Sequence, residues 1–146
     1  MSAFTQRQHL NFSAAQLFDL VADVERYPKF MPWVTASRVR HRRDNVMFVE
    51  MTVSAGPLRR QFSTVGVLHR PQRIDITSAD PIFDRFEQHW LFEPARDDGT
   101  DVDYRVDVAL RSRILQALLG ASFADQAART MTAFTRRAQQ LYNGQR

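Results

Sequence analysis

The 146 residues, 44% hydrophobic with 11 phenylalanines, are expected to form one domain over 1–146 that buries roughly 70% of its unfolded surface. The absence of cysteine excludes a disulfide framework and any thiolate metal or redox chemistry. Nearly all the charge behind the net +4 is arginine, with Lys29 the only lysine; no signal-like apolar run opens the chain and nothing approaches the roughly 20 apolar residues of a membrane span, so a soluble, cytoplasmic protein is expected.

Residues 3–11 read as a first strand. Ser13 is placed as an N-cap with Gln16 closing a capping box, and Phe12 with Leu17 as a hydrophobic staple. Leu17, Leu20, Val21 and Val24 then repeat at i, i+3, i+4 and i+7, which predicts a helix. Next comes Tyr27-Pro-Lys-Phe-Met-Pro-Trp33. Pro28 disfavours helical geometry at Tyr27 and Pro32 at Met31, leaving room for a helical turn or two. Tyr, Phe, Met and Trp supply more apolar surface than a connection needs, which suggests a lip folded over an apolar cavity. A loop tucked against the core is the plainer alternative.

From about 35 to 110 the pattern is a meander. Runs rich in Val, Phe and Thr are broken at Asp44-Asn45, Gly56-Pro57, Arg70-Pro71, Ala79-Asp80-Pro81 and Asp98-Gly99. Arg38, Arg40 and Arg42 alternate along one strand and are expected on one face, with Arg43 at the tip. Phe86, Gln88, Trp90 and Phe92 alternate on a later strand. Val102, Tyr104, Val106, Val108 and Leu110 alternate with Asp101, Asp103, Arg105 and Asp107 on the last. Seven consecutive antiparallel strands are predicted.

The final third is helical. Ser112 caps a segment over Arg113–Leu119, and Gly120 marks a kink or a restart. Leu115, Leu119, Phe123, Ala127, Met131, Phe134, Ala138 and Leu141 form one stripe. Such a helix, about 28 residues and 42 Å long, must lie across the sheet. Ala117, Ala121, Ala124, Ala127, Ala128 and Ala133 leave room between helix and sheet, unless Phe and Trp fill it. A gap left open there is an apolar tunnel for a lipophilic ligand.

The order of elements resembles the helix-grip, or START-like, superfamily, and the local motifs resemble its coenzyme-Q-binding branch, which also contains the bacterial ribosome-association toxin. The matching stretches are Tyr27–Trp33, Leu58–Thr64, Phe83–Phe92 with His89-Trp90, and Val102-Asp-Tyr104 running into the helix that ends Ala133-Phe-Thr-Arg-Arg-Ala138. Many members carry Cys after the Trp, where this chain has Val34. The resemblance implies an α+β fold, a curved seven-stranded antiparallel sheet around a long C-terminal helix, with short helices after the first strand. It further implies a protein that holds ubiquinone or a similar isoprenoid lipid and supports respiration, without a catalytic cofactor. Tyr27, Phe30, Pro32 and Trp33 would form the entrance; Phe62, Phe86, Trp90, Tyr104 and Val106 the sheet wall; Phe123, Met131 and Phe134 the helix wall. The Tyr104 hydroxyl and Trp90 indole are candidate donors to a quinone carbonyl.

Enzymatic signals are weak. His9, His41, His69 and His89 have no metal-binding spacing, and neither a G-x-S-x-G elbow nor a glycine-rich phosphate loop is present. Some members of the superfamily are aromatase/cyclases, but the inward faces predicted here are overwhelmingly apolar. The arginines offer a second reading. Arg38, Arg40, Arg42 and Arg43, with the pairs Arg59/Arg60, Arg111/Arg113 and Arg136/Arg137, provide either an anionic-membrane contact on the inner face or a ribosomal RNA surface. The latter would bind the large subunit and block subunit joining, as the toxin branch does.

Overall fold

The computed structural model describes residues 2–55 and 58–142; the turn expected at Gly56-Pro57 lies outside them. Strand β1, Ser2–Leu10, leads through the capping box at Ser13 into helix α1, Ala14–Ala22. Both halves of the box form. Ser13 Oγ accepts from Gln16 N at 3.1 Å, and Gln16 Oε1 accepts from Ser13 N at 3.0 Å. Phe12 and Leu17 are both buried, as a staple requires. A 3-10 helix, Val24–Lys29, follows with Pro28 inside it. Tyr27 therefore remains in a helical turn, against expectation. A short 3-10 piece tolerates proline because few of its N–H groups have intrahelical partners.

Six strands then run as a meander: β2 Val34–Arg43, β3 Val46–Ala55, β4 Leu58–His69, β5 Arg73–Thr77, β6 Phe83–Pro94 and β7 Thr100–Leu110. The sheet order is β1-β7-β6-β5-β4-β3-β2, antiparallel at every pairing. Turn chemistry is where the composition put it. Asp44 and Asp98 adopt left-handed φ values of 53° and 66°, a conformation aspartate tolerates better than most residues. Gly99 is required for space: a Cβ there would lie 2.8 Å from the Leu10 carbonyl oxygen and 2.9 Å from the His9 ring.

The C-terminal helix is not continuous. Helix α2, Arg113–Gly120, stops, and helix α3, Phe123–Tyr142, restarts after Ala121-Ser122. The element crossing the sheet is thus 20 residues, about 30 Å long, shorter than the periodicity suggested. Phe123, Ala127, Met131, Phe134 and Ala138 form its buried stripe, whereas α2 buries no residue and leaves Ile114 and Leu118 exposed. Among the described residues, no helix is long and apolar enough to cross a membrane.

Candidate functional site

The inward side chains of the sheet divide into two groups. In one half of the interior, Trp90, Phe92, Val102, Tyr104 and Met131 are each at most 2% exposed. Trp90 lies 4.4 Å from the Tyr104 ring, 5.1 Å from Phe134 and 6.2 Å from Phe92. Large aromatic rings fill that half. In the other half the inward side chains are smaller, and an apolar cavity of about 190 Å³ remains.

Each neighbouring element contributes to its wall. The lip supplies Tyr27, Met31 and Trp33, and α1 supplies Val21 and Ala22. Met47, Val49, Met51 and Val53 come from β3, with Phe62, Thr64, Gly66 and Leu68 from β4. Ile74 and Ile76 of β5, Phe86 and Gln88 of β6, and Thr130 and Phe134 of α3 complete it. The alanines expected to border the gap do not line it. Ala117, Ala121 and Ala124 are exposed, while Ala127 packs in the core. The space lies beside the flexible and aliphatic side chains of β3 and β5 and beside Gly66 of β4, not along a slim face of the helix.

Of the residues selected from the sequence, Tyr27, Trp33, Phe62, Phe86 and Phe134 line the cavity. Trp90, Tyr104, Val106, Phe123 and Met131 are buried core residues outside its lining, Phe30 is half-buried, and Pro32 is exposed. The Trp90 indole N–H is buried without a hydrogen-bond partner among the described residues. Cavity residues the sequence reading missed include Met47, Met51, Gly66 and Gln88. Gly66, inside a strand, was the available signal, since such a glycine leaves space beside it.

The lip is anchored from both sides. Tyr27, Phe30 and Phe134 meet edge-to-face at 5.3–5.8 Å, binding the lip to α3, and the Arg137 guanidinium lies 5.6 Å from the Phe30 ring centroid. The Tyr27 hydroxyl donates to the Val21 carbonyl, and burial drives its pKa strongly upward. Glu25 Oε2 accepts from Val39 N at 3.1 Å, tying the lip to the edge strand, and Ser54 N donates to Trp33 O at 2.8 Å.

Inside, Gln88 Nε2 donates to the Tyr104 hydroxyl at 3.1 Å. Burial pushes the Tyr104 phenol up to about 12, with hydrogen bonds to Gln88 and Thr130 opposing the rise. Tyr104 is therefore neutral at any physiological pH.

The basic face differs from expectation. Register shifts lie between Val34 and Ala36 and between Val39 and His41 on β2. The second inserts Arg40 as an extra residue and reverses the alternation. Arg38 pairs with Glu50, and His41 and Arg43 follow on that outer face. Arg42 instead pairs with Met47, a cavity residue, and donates to its Sδ at 3.2 Å. Arg42 thus borders a groove with Asp19, Asp23 and Glu25. Arg38, Arg40 and Arg42 do not share one face. By register with Ser54 and Val53, Arg59 and Arg60 also point to opposite sides. The outer surface over β2–β4 still carries Arg38, Arg40, Arg43 and Arg59 against Glu50, which lies 3.8 Å from Arg40. Over β1, β5, β6 and β7 it is a mixed lattice: Arg7–Asp103 at 2.6 Å, Arg73–Asp75 at 2.8 Å, His89–Asp75 at 2.6 Å and Arg85–Asp107 at 3.2 Å.

A family described as polyketide cyclase/dehydrase and lipid transport matches residues 10–135. The Ribosome association toxin RatA of Pseudomonas aeruginosa is 36% identical over 97% of this chain and 99% of its own. The mitochondrial Coenzyme Q-binding protein COQ10 homolog B of Xenopus laevis is 29% identical over 97% of this chain and 60% of its own length. Among solved structures, the STAR-related lipid transfer protein of Xanthomonas axonopodis has a TM-score of 0.81 at 17% identity, covering 94% of this chain and 85% of that one, a likeness of fold alone. A match over most of the chain, and a relative alike almost end to end, place this protein in the polyketide cyclase/dehydrase and lipid transport family, built on the START-like helix-grip fold.

Proposed function

We propose that this protein binds, without transforming it, an isoprenoid lipid of the ubiquinone type, holding the head group in the cavity behind the lip and so supporting the use of that lipid in respiration. The observation that carries this reading is the cavity itself: a space of about 190 Å³ whose wall is aliphatic and aromatic apart from a few polar groups. Sites that engulf a whole drug-sized ligand run to roughly 300–1,000 Å³, whereas a dry cavity of about 150 Å³ accepts a benzene ring. The size suits one substituted ring, with the tail leaving the cavity. The name of the Xenopus relative, a coenzyme Q-binding protein, is consistent with this choice of ligand.

The test is to purify the protein gently from a quinone-producing host, extract it with organic solvent and identify the lipids by mass spectrometry. A stoichiometric isoprenoid quinone is expected. An empty extract, together with no uptake in a quinone titration, would sink the reading.

A second reading has its own observation. The outer face of β2–β4 gathers Arg38, Arg40, Arg43 and Arg59, and the relative at 36% identity is named a ribosome association toxin. On this reading the face docks on RNA of the large ribosomal subunit. Such docking releases counterions and weakens steeply with salt, whereas quinone uptake hardly changes. Charge reversal at Arg38, Arg40 and Arg43 should abolish co-sedimentation with the large subunit and leave quinone uptake intact. Salt-independent co-sedimentation, or none at all, would remove this second function.

A further inference from the structure

The polar groups on the cavity wall are not equivalent. The Tyr27 hydroxyl is engaged by the Val21 carbonyl, and Thr130 Oγ1 donates to the Gln126 carbonyl at 3.1 Å, within its own helix. Gln88 is different. Its Nε2 gives one hydrogen to the Tyr104 hydroxyl at 3.1 Å. Its Oε1 has no hydrogen-bond partner among the described residues, and the side chain is half-buried rather than sealed in the core. Its neighbours across the sheet are Ile76 on β5 and Val106 on β7, both apolar.

Because Gln88 is half-buried, water can reach its carboxamide while the cavity is empty, but a ligand that fills the cavity displaces that water and loses free energy unless it pairs with the amide itself. A leucine of similar size would pack there without that cost. The position makes chemical sense if its partner arrives with the ligand.

We infer that Gln88, oriented by Tyr104, is the contact that reads an oxygen on the ligand's head group, so that the cavity selects a ring bearing a carbonyl or hydroxyl over a hydrocarbon of equal size. This rests on the lipid-binding reading above. A carboxamide both donates and accepts. Its Nε2–H donates to a quinone carbonyl, and its Oε1 accepts from a quinol hydroxyl. The Tyr104 hydroxyl matches either orientation, because it accepts from Nε2 or donates to Oε1. Tyr104 stays neutral and keeps its proton in both cases. The pair therefore accepts oxidised and reduced forms of one ring alike, which suits a carrier and requires no electron transfer by the protein.

The test is a titration of purified protein, followed by quenching of tryptophan fluorescence, with decylubiquinone, decylubiquinol and decylbenzene as probes. Wild type should bind quinone and quinol with similar affinity, and both more tightly than decylbenzene. Gln88→Leu should weaken quinone and quinol about tenfold, the size of one lost hydrogen bond, while decylbenzene binds as well or better. Gln88→Glu, an acceptor only when ionised, should weaken quinone more than quinol. Tyr104→Phe should lower quinone affinity less than Gln88→Leu and leave decylbenzene unchanged. Unaltered quinone affinity in a folded Gln88→Leu protein overturns the inference. So does wild type that binds decylbenzene as tightly as decylubiquinone, although the lipid cavity then stands. If wild type takes up none of the three, the lipid-binding reading fails and this one with it.

Discussion

His9 shows how a single side chain closes the edge of the sheet. Its Nδ1 meets Asp101 and its Nε2 meets Asp97, each at 2.9 Å. With a carboxylate on both nitrogens, the doubly protonated ring is favoured. The hydrogen bond to Asp101 raises the pKa above its ordinary 6.5, desolvation works against the rise, and Asp97 adds to it. A value raised on folding means the contribution to stability is complete below 6.5 and is lost as the pH climbs through the folded-state value. The melting-temperature difference between wild type and His9→Gln should therefore be largest in mildly acidic buffer and shrink towards alkaline pH. A pH-independent difference would show that the ring is mere packing. The sequence places His9 on a strand but is silent on its partners, which arrive from residues about 90 positions away in the chain.

At the scale of elements, β2 is instructive because one inserted residue changes what the strand presents. Alternation from Arg38 leads to a row of three arginines, and the bulge at Arg40 breaks that row. Arg42 then faces the acidic end of α1, bordering a groove with Asp19, Asp23 and Glu25, while Arg38 and Arg43 remain outside. Arg42→Glu would set a fourth carboxylate among those three. It should lower stability by up to about 1 kcal/mol, as expected for an exposed charge cluster, and leave any ribosome co-sedimentation close to that of wild type. Arg38→Glu should do the reverse. Thermal melts and sedimentation of the two single variants check this; equal losses of sedimentation would place both arginines on the docking face. The lip, by contrast, was legible in the sequence, because two prolines and four large apolar side chains dictate a short, buried connection.

For the whole molecule, the balance between filled and open interior decides what the protein can hold. Gly66 is the most economical place to shift that balance. A Cβ added there would meet the Met47 carbonyl oxygen at 3.9 Å and Ile76 Cγ1 at 4.0 Å, ordinary contact distances. Gly66→Val places methyl groups against the cavity and removes the entropic penalty of glycine in a strand, roughly 0.5–1 kcal/mol. The variant should melt at a slightly higher temperature and lose co-purifying lipid. Lipid retained at the wild-type level would locate the binding site elsewhere.

The chain sequence by itself determined the elements and their order: the capped helix α1, the aromatic lip, the meander with its turn residues, and the buried stripe of α3. These follow from short-range chemistry, such as capping, turn preference and the periods of apolar residues, which act within a few residues of each other. Only the tertiary structure decided that Trp90 and Tyr104 fill the interior while Gln88 borders open space, and that Arg42 turns away from Arg38. Each of these depends on a residue brought close from far along the chain, and on how pairing strands take up an extra residue. Alternation identifies which side chains point inward, but only the packing of the opposite wall decides whether they meet another side chain or an empty volume.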